Sequence, residues 1–228
     1  MFIKSFLYRT MKIVISLGGS LISLNKPDYI KNVADLIKKV SNDFELYVVV
    51  GGGKLARDYI NTARNFCNDE SYLDRIGILA TRINALLLNS FFKKDIPETV
   101  DEVMDIKPPV IMGGTTPGHS TDAVSAMVAR KVKAKRLIIA TDVDGIYDKD
   151  PKKNKDAKKF DRIDIKELIK ISGRTWKKAG ESAVIDAIAC SIIEEEGIPT
   201  LVLNGKNLKE LENAIYGKKF NGTVVEIK

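Results

Sequence analysis

The sequence predicts an α/β domain built on a mainly parallel sheet. Short apolar runs alternate with helix-period segments from Lys12 to the C-terminus, three of the runs end in paired or tripled glycines, and neither a repeat nor a low-complexity linker interrupts the order. With 228 residues, 44% of them hydrophobic, the chain can close one sizeable core or two small lobes.

Each element follows from local pattern. KIVISL (12–17) reads as a buried strand ending at Gly18-Gly19, and Pro27 starts a helix over 28–40. ELYVVV (45–50) is a second strand ending at Gly51-Gly52-Gly53. Helical spacing covers 55–66, and a long, strongly apolar helix covers 72–92. PVIM (109–112) is a short strand that enters GGTTPGHSTDA, in which Thr121 or Asp122 is expected to cap a helix over 123–131. RLIIAT (136–141) is a strand leading into DVDGIYDKDPKKN. A strand or turn at 160–163, helices at 165–171 and 184–196, the strand PTLVLN, a helix at 208–216 and the strand TVVEI complete the chain. A boundary between halves falls at 132–136.

The charge is +7, from 37 Lys+Arg against 30 Asp+Glu. It is concentrated in two places. Residues 1–12 carry Lys4, Arg9 and Lys12 with no acid, and residues 149–159 carry six lysines against Asp150 and Asp156, which leaves the rest of the chain neutral. A general nucleic-acid binder is therefore disfavoured, and a local phosphate site beside the second stretch is favoured. Cys67 and Cys190 form no CxxC, and His119 is the single histidine, so a disulfide framework, a cysteine zinc site and a two-histidine metal motif are excluded. A reducing, cytoplasmic compartment is expected. No apolar run approaches the roughly 20 residues of a membrane helix. MFIKSFLYRT lacks a signal-peptide core and runs straight into the first strand.

Glycine lets backbone N–H groups approach an anion, and a helix starting after the loop adds its positive dipole end. One such loop is ordinary turn chemistry. Three at strand ends suggest a cradle for more than one phosphate. No GxxxxGK[ST] occurs, because Lys54 is followed by Leu55. GGGKLA (51–56) fits a dinucleotide fingerprint, but the acidic residues at the required distance, Asp69 and Glu70, precede a helix instead of ending a strand. In TDVDGIYDKDPKK, Gly145 permits a tight turn, Tyr147 offers a flat face to a base, and the following lysines suit anionic oxygens.

KIVISLGGSLI, VVVGGGKLARDYI, LDRIGILATRINALLL, MGGTTPGHSTDA and ATDVDGIYDKDPKK together resemble the amino acid kinase superfamily and, within it, the archaeal type of UMP kinase. The resemblance spans Lys12 to the C-terminus. It implies a three-layer αβα sandwich in one domain over 12–228, with a UMP-binding half to about residue 134 and an ATP-binding half after it. It also implies transfer of the γ-phosphoryl group of ATP to UMP in pyrimidine nucleotide synthesis, and assembly as a homo-oligomer, in this family a hexamer. Carried over by position, Gly52, Asp74 and the loop Thr115, Thr116, Pro117, Gly118, His119, Ser120 and Thr121 contact UMP. Gly19, Ser20, Gly53 and Arg57 contact ATP phosphates, and Thr141, Asp142, Tyr147 and Asp150 the adenosine end. Asp122 and Asp186 match acidic positions near the reacting phosphates and are the candidates for organising Mg²⁺, which enters mainly on the ATP phosphates, or the transferred group.

One position departs from the superfamily. Many members carry lysine two residues before the first glycine, where this chain has Ser16. Lys12 shares its face, but four residues at about 3.3 Å put it too far back. Lys54 is the substitute cation the sequence offers, set against the plain reading of an exposed first-turn lysine. Two relatives within the superfamily fit less well. N-acetylglutamate kinase requires lysines absent here, and isopentenyl phosphate kinase requires a histidine after the GGG. From another class, a catalytically silent nucleotide-binding sensor remains the alternative. Residues 1–11 form an N-terminal extension outside the resemblance, expected to be dispensable. Deleting residues 1–10 is expected to leave phosphoryl transfer intact, measured as ADP release; a large loss would make the segment part of the working enzyme.

Overall fold

The computed structural model describes residues 11–172 and 185–227. The chain runs β1 (Lys12–Leu17), α1 (Pro27–Val40), β2 (Glu45–Val50), α2 (Gly53–Ala63), α3 (Glu70–Asn89), a 3-10 turn (Glu102–Met104), β3 (Val110–Met112), α4 (Thr121–Val132), β4 (Arg136–Thr141), β5 (Arg162–Asp164), α5 (Ile165–Ser172), α6 (Ala187–Glu196), β6 (Thr200–Asn204), α7 (Leu208–Ile215) and β7 (Gly222–Glu226). The strands form one sheet in the order β3-β2-β1-β4-β6-β7-β5. Every pairing is parallel except β6 with β7.

The two-residue period of the strands builds the three layers. From β1, Ile13, Ile15 and Leu17 pack with α1, α3 and α7 on one face; Val14, with Val49, Leu137 and Ile139, packs against α4, α5 and α6 on the other. Ser16 shares the second face and is 1% exposed. From β1 the chain steps outward through β2 to β3, then returns to place β4 and β6 on the opposite side of β1. The carboxyl ends of β1 and β4 therefore flank the point where strand order reverses, the crevice in which open α/β sheets hold ligands.

Element ends depart from the sequence expectation for local reasons. The long helix starts at Glu70 because the Asp69 carboxylate caps it, accepting from the Ser71 and Tyr72 amides at 2.9 and 3.2 Å. β3 begins at Val110, one residue after a proline that has no N–H to give a ladder. Asp186 caps α6, so that helix begins at Ala187; the expected start at Val184 lies outside the described residues, as do residues 1–10 of the N-terminal extension. Among the described residues no helix is long and apolar enough to cross a membrane.

Candidate active site

The first two glycine loops pack backbone to backbone. The Gly18 amide donates to Ala140 O at 2.8 Å and the Gly51 amide to Leu17 O at 2.9 Å, so the loops continue the ladder past the strands. A Cβ on Gly19 would overlap the Gly53 nitrogen, and a Cβ on Gly53, whose φ is +59°, would overlap the Gly19 carbonyl. Gly19 and Gly53 thus abut, with Gly52 adjoining Gly53 in the chain, Ser20 exposed beside them and Arg57 at the start of the second turn of α2. Lys54 behaves differently. Its side chain is 83% exposed and pairs with Asp58 one turn on. That is the surface first-turn lysine, so the structure does not bring Lys54 to the glycine loops as the missing cation.

The third loop is tied to the second by α3. Buried Asn84 donates to the carbonyls of Gly51 and Gly52 at 2.8 and 3.1 Å. Thr81 Oγ1 accepts from the Gly114 amide at 2.6 Å and donates to Ile78 O. Arg82 reaches Gly114 O at 3.2 Å through Nε and the Glu98 carboxylate at 2.8 Å through Nη1. From the second turn of the same helix, Asp74 Oδ2 accepts from the Gly118 amide at 2.8 Å. Thr116 Oγ1 and His119 Nδ1 lie 2.8 Å apart, closing the turn around Pro117 and Gly118, which has φ +85°. Asp74 and the loop from Thr115 to Thr121 are therefore one unit, although they are far apart in sequence.

At the far end of this loop Ser120, and not Thr121 or Asp122, caps the next helix. Its Oγ accepts from the amides of Asp122 and Ala123, each at 3.1 Å, while its proton goes to Asp186 Oδ2. This frees the Asp122 side chain to turn inward, where Ser16 Oγ donates to Oδ1 at 2.6 Å. Burial pushes the Asp122 carboxyl up to about 7; the Ser16 hydrogen bond opposes the rise and the nearby Asp186 adds to it. Asp186 Oδ1 accepts from the Ala189 amide at 2.8 Å and so caps α6. Two carboxylates thus stand at the N-termini of α4 and α6, one strand-end away from Gly18.

Beyond the switch point, Thr141 O accepts from the Gly205 amide at 2.8 Å. Burial would raise the Asp142 carboxyl, but Lys152, hydrogen-bonded to it at 2.6 Å, and then the charge of Lys206 outweigh burial and hold it below the usual carboxylate range. Tyr147 bridges to Lys159 across an antiparallel turn, and Asp150 Oδ1 accepts from the Lys152 amide at 2.9 Å. The lysine-rich loop is therefore partly neutralised from within, by Lys152 to Asp142 and Lys149 to Asp156. A polar cleft of about 650 Å³, lined by Tyr29, Asp144, Asn204, Lys206 and Asn207, adjoins this end but shares none of the residues expected from sequence. Among the described residues, no group of three or more His, Cys, Asp and Glu side chains is arranged to hold a metal ion.

The model of the Amino acid kinase family matches residues 11–204. The chain belongs to the amino acid kinase family. Among its relatives, the uridylate kinase of Thermococcus sibiricus is 44% identical over 225 residues, which is 95% of this chain and all of that protein. The uridylate kinase of Archaeoglobus fulgidus is 43% identical over 221 residues, 94% of this chain and all of that protein. A crystal structure of uridylate kinase from Archaeoglobus fulgidus superposes with a TM-score of 0.84 at 42% identity, covering 94% of this chain and 100% of that one. UMP kinase from Ureaplasma parvum shares the fold at a TM-score of 0.76 and 23% identity, over 95% and 98% of the two chains.

For this amino acid kinase, residue types alone concealed four contributors to the site. Thr81, Arg82 and Asn84 lie within the segment LDRIGILATRINALLL, yet helical spacing marks them only as part of a helix; their partners are backbone groups roughly 30 residues away. Ser16 sits in an apolar strand and its partner is 106 residues distant. A polar residue in a run otherwise filled by Val, Ile and Leu was the available signal.

Proposed function

We propose that this chain transfers the γ-phosphoryl group of ATP to UMP, giving ADP and UDP. The observation that carries the reading is identity of 41–45% to relatives named uridylate kinase, spread across at least 94% of the chain. The geometry supports it. Asp74, Gly52 and the loop Thr115–Thr121 form the acceptor side: Asp74 has one oxygen on Gly118 and a second for ribose hydroxyls, and the loop amides serve the UMP phosphate. Gly19, Ser20, Gly53 and Arg57 take the ATP phosphates, and Thr141, Asp142, Tyr147 and Asp150 the adenosine.

Phosphoryl transfer asks for in-line positioning and neutralisation of charge more than for covalent help. The loops at Gly19 and Gly53 abut backbone to backbone, and their amides are assigned to the place where donor and acceptor phosphates meet. Magnesium, entering mainly on the ATP phosphates, would neutralise part of their charge. The chemistry of the donor set fits such a cation: burial makes the Asp122 carboxyl costly to ionise and Asp186 adds to that cost, which a nearby divalent ion would relieve. Asp122 and Asp186 then hold the reacting groups in register at the paired helix N-termini.

Purified chain with ATP, Mg²⁺ and a panel of UMP, CMP, AMP, N-acetylglutamate and isopentenyl phosphate tests the assignment through ADP release. Turnover with UMP is expected to exceed the others. Clear turnover with another acceptor and none with UMP would sink it, and nucleotide binding without any turnover would favour the silent sensor.

A homo-oligomer, as a hexamer, belongs to the same proposal. Tyr72, Leu79, Ile83 and Leu86 on α3 are each more than half exposed and fall on one stripe, an apolar surface that water disfavours. Introducing Leu79→Glu with Ile83→Glu is expected to reduce the mass read by light scattering, and an unchanged mass would move the interface elsewhere.

A further inference from the structure

The buried hydroxyl of Ser16 has no packing reason to be there. In register it lies between Val49 on β2 and Ile139 on β4, both effectively inaccessible, and a valine or alanine would fill such a place without desolvating a polar group. What the hydroxyl gains is one bond, to Asp122 Oδ1 at 2.6 Å. From Asp122 the connection continues: its amide donates to Ser120 Oγ, Ser120 donates to Asp186 Oδ2, and Asp186 Oδ1 accepts from the first turn of α6. Each serine has a single proton, and each spends it on a different carboxylate. Asp122 Oδ2 is left with no hydrogen-bond partner among the described residues.

We propose that Ser16 and Ser120 are positioning residues, whose hydroxyls hold Asp122 and Asp186 in fixed orientation at the joined N-termini of α4 and α6 and leave Asp122 Oδ2 to meet the reacting groups. This rests on the reading of the chain as a phosphoryl-transfer enzyme. A carboxylate on a free rotor would sample three χ1 wells, whereas a short bond from a rigid central strand selects one. The strand supplies the rigidity, since β1 is paired on both sides along its length. Ser16 acts through Asp122 and has no substrate contact of its own.

Ser16→Ala is the cleaner variant, because Ser120→Ala would also remove a helix cap. With the acceptor that the wild-type chain turns over in the panel, Ser16→Ala is expected to lower kcat by about tenfold or more, with KM for ATP and for the acceptor changed by less than about twofold. Ser16→Thr, which keeps the hydroxyl, is expected to recover most of the rate. In an Asp122→Asn background, adding Ser16→Ala should change the residual kcat by no more than about twofold, since a residue acting only through Asp122 has nothing left to orient. A kcat for Ser16→Ala within twofold of wild type overturns the proposal. So does a loss that Ser16→Thr leaves unrepaired while both variants melt early, which would mark a packing role. Absence of wild-type turnover with UMP is a separate result and contradicts the choice of acceptor, not the serine clamp.

Discussion

Asp122→Asn is expected to lower kcat by roughly a hundredfold or more while making the folded chain more stable above neutral pH. The two effects share one cause. The carboxyl is buried at the head of α4 beside Asp186, which pushes it up to about 7 from the usual carboxylate value. A raised acid pKa means that the native state binds the proton more tightly than the unfolded chain. The stabilising contribution is full below the unfolded value of about 4 and is lost as pH rises through about 7. Asparagine carries no such charge and still accepts from Ser16. The stability gain of Asp122→Asn over wild type should therefore be small at or below pH 4, grow between pH 4 and 7, and level above it, with a limit on the order of a few kcal/mol. Thermal melts across that range, paired with kcat at pH 8, check both halves. Full activity would remove Asp122 from the reaction centre, and a stability difference independent of pH would mean that the carboxyl is not held against its charge.

Asp74→Asn should weaken UMP binding about ten- to fiftyfold and leave ATP binding within about twofold. The substitution is discriminating because it spares the scaffold. Asp74 receives the Gly118 amide through Oδ2, and the amide oxygen of asparagine can take that same bond, so the loop Thr115–Thr121 keeps its tether. What is lost is the second carboxylate oxygen, the acceptor assigned to the ribose. Calorimetric titration of each nucleotide separates the outcomes. Equal losses for UMP and ATP would show that Asp74 supports the site as a whole and does not face the acceptor.

Much of this architecture was legible because the signals are local. Strands β1, β2 and β4 begin and end where their apolar runs do, and the three glycine loops directly follow β1, β2 and β3. Long-range geometry was not legible. HSTD offers capping-competent residues at three successive positions, and which of them caps is set by where Asp186 arrives to take the Ser120 proton. Lys54 has the right residue type on the right turn, but the helix points it outward to Asp58. Likewise, TVVEI is recognisable as a strand, while its position, antiparallel to β6 and parallel to β5, depends on pairing that no local pattern encodes. The motif around Thr81, Arg82 and Asn84 was visible as a resemblance, and the structure supplies its physical content: one helix ties two glycine loops to each other.

The charge distribution also acquires a structural meaning. Lys152 reaches Asp142 and Lys206 lies near it, so the local surplus of lysines offsets acidic groups at the edge assigned to adenosine instead of forming an open polyanion-binding surface.

The central claim, that one catalytic edge brings ATP and UMP together, is tested most directly by following a mixture of the purified chain, ATP, Mg²⁺ and UMP by ³¹P NMR. The phosphate resonances of UDP are expected to grow in step with those of ADP, with no inorganic phosphate released. Consumption of ATP to inorganic phosphate with UMP unchanged, or no reaction at all, would contradict it.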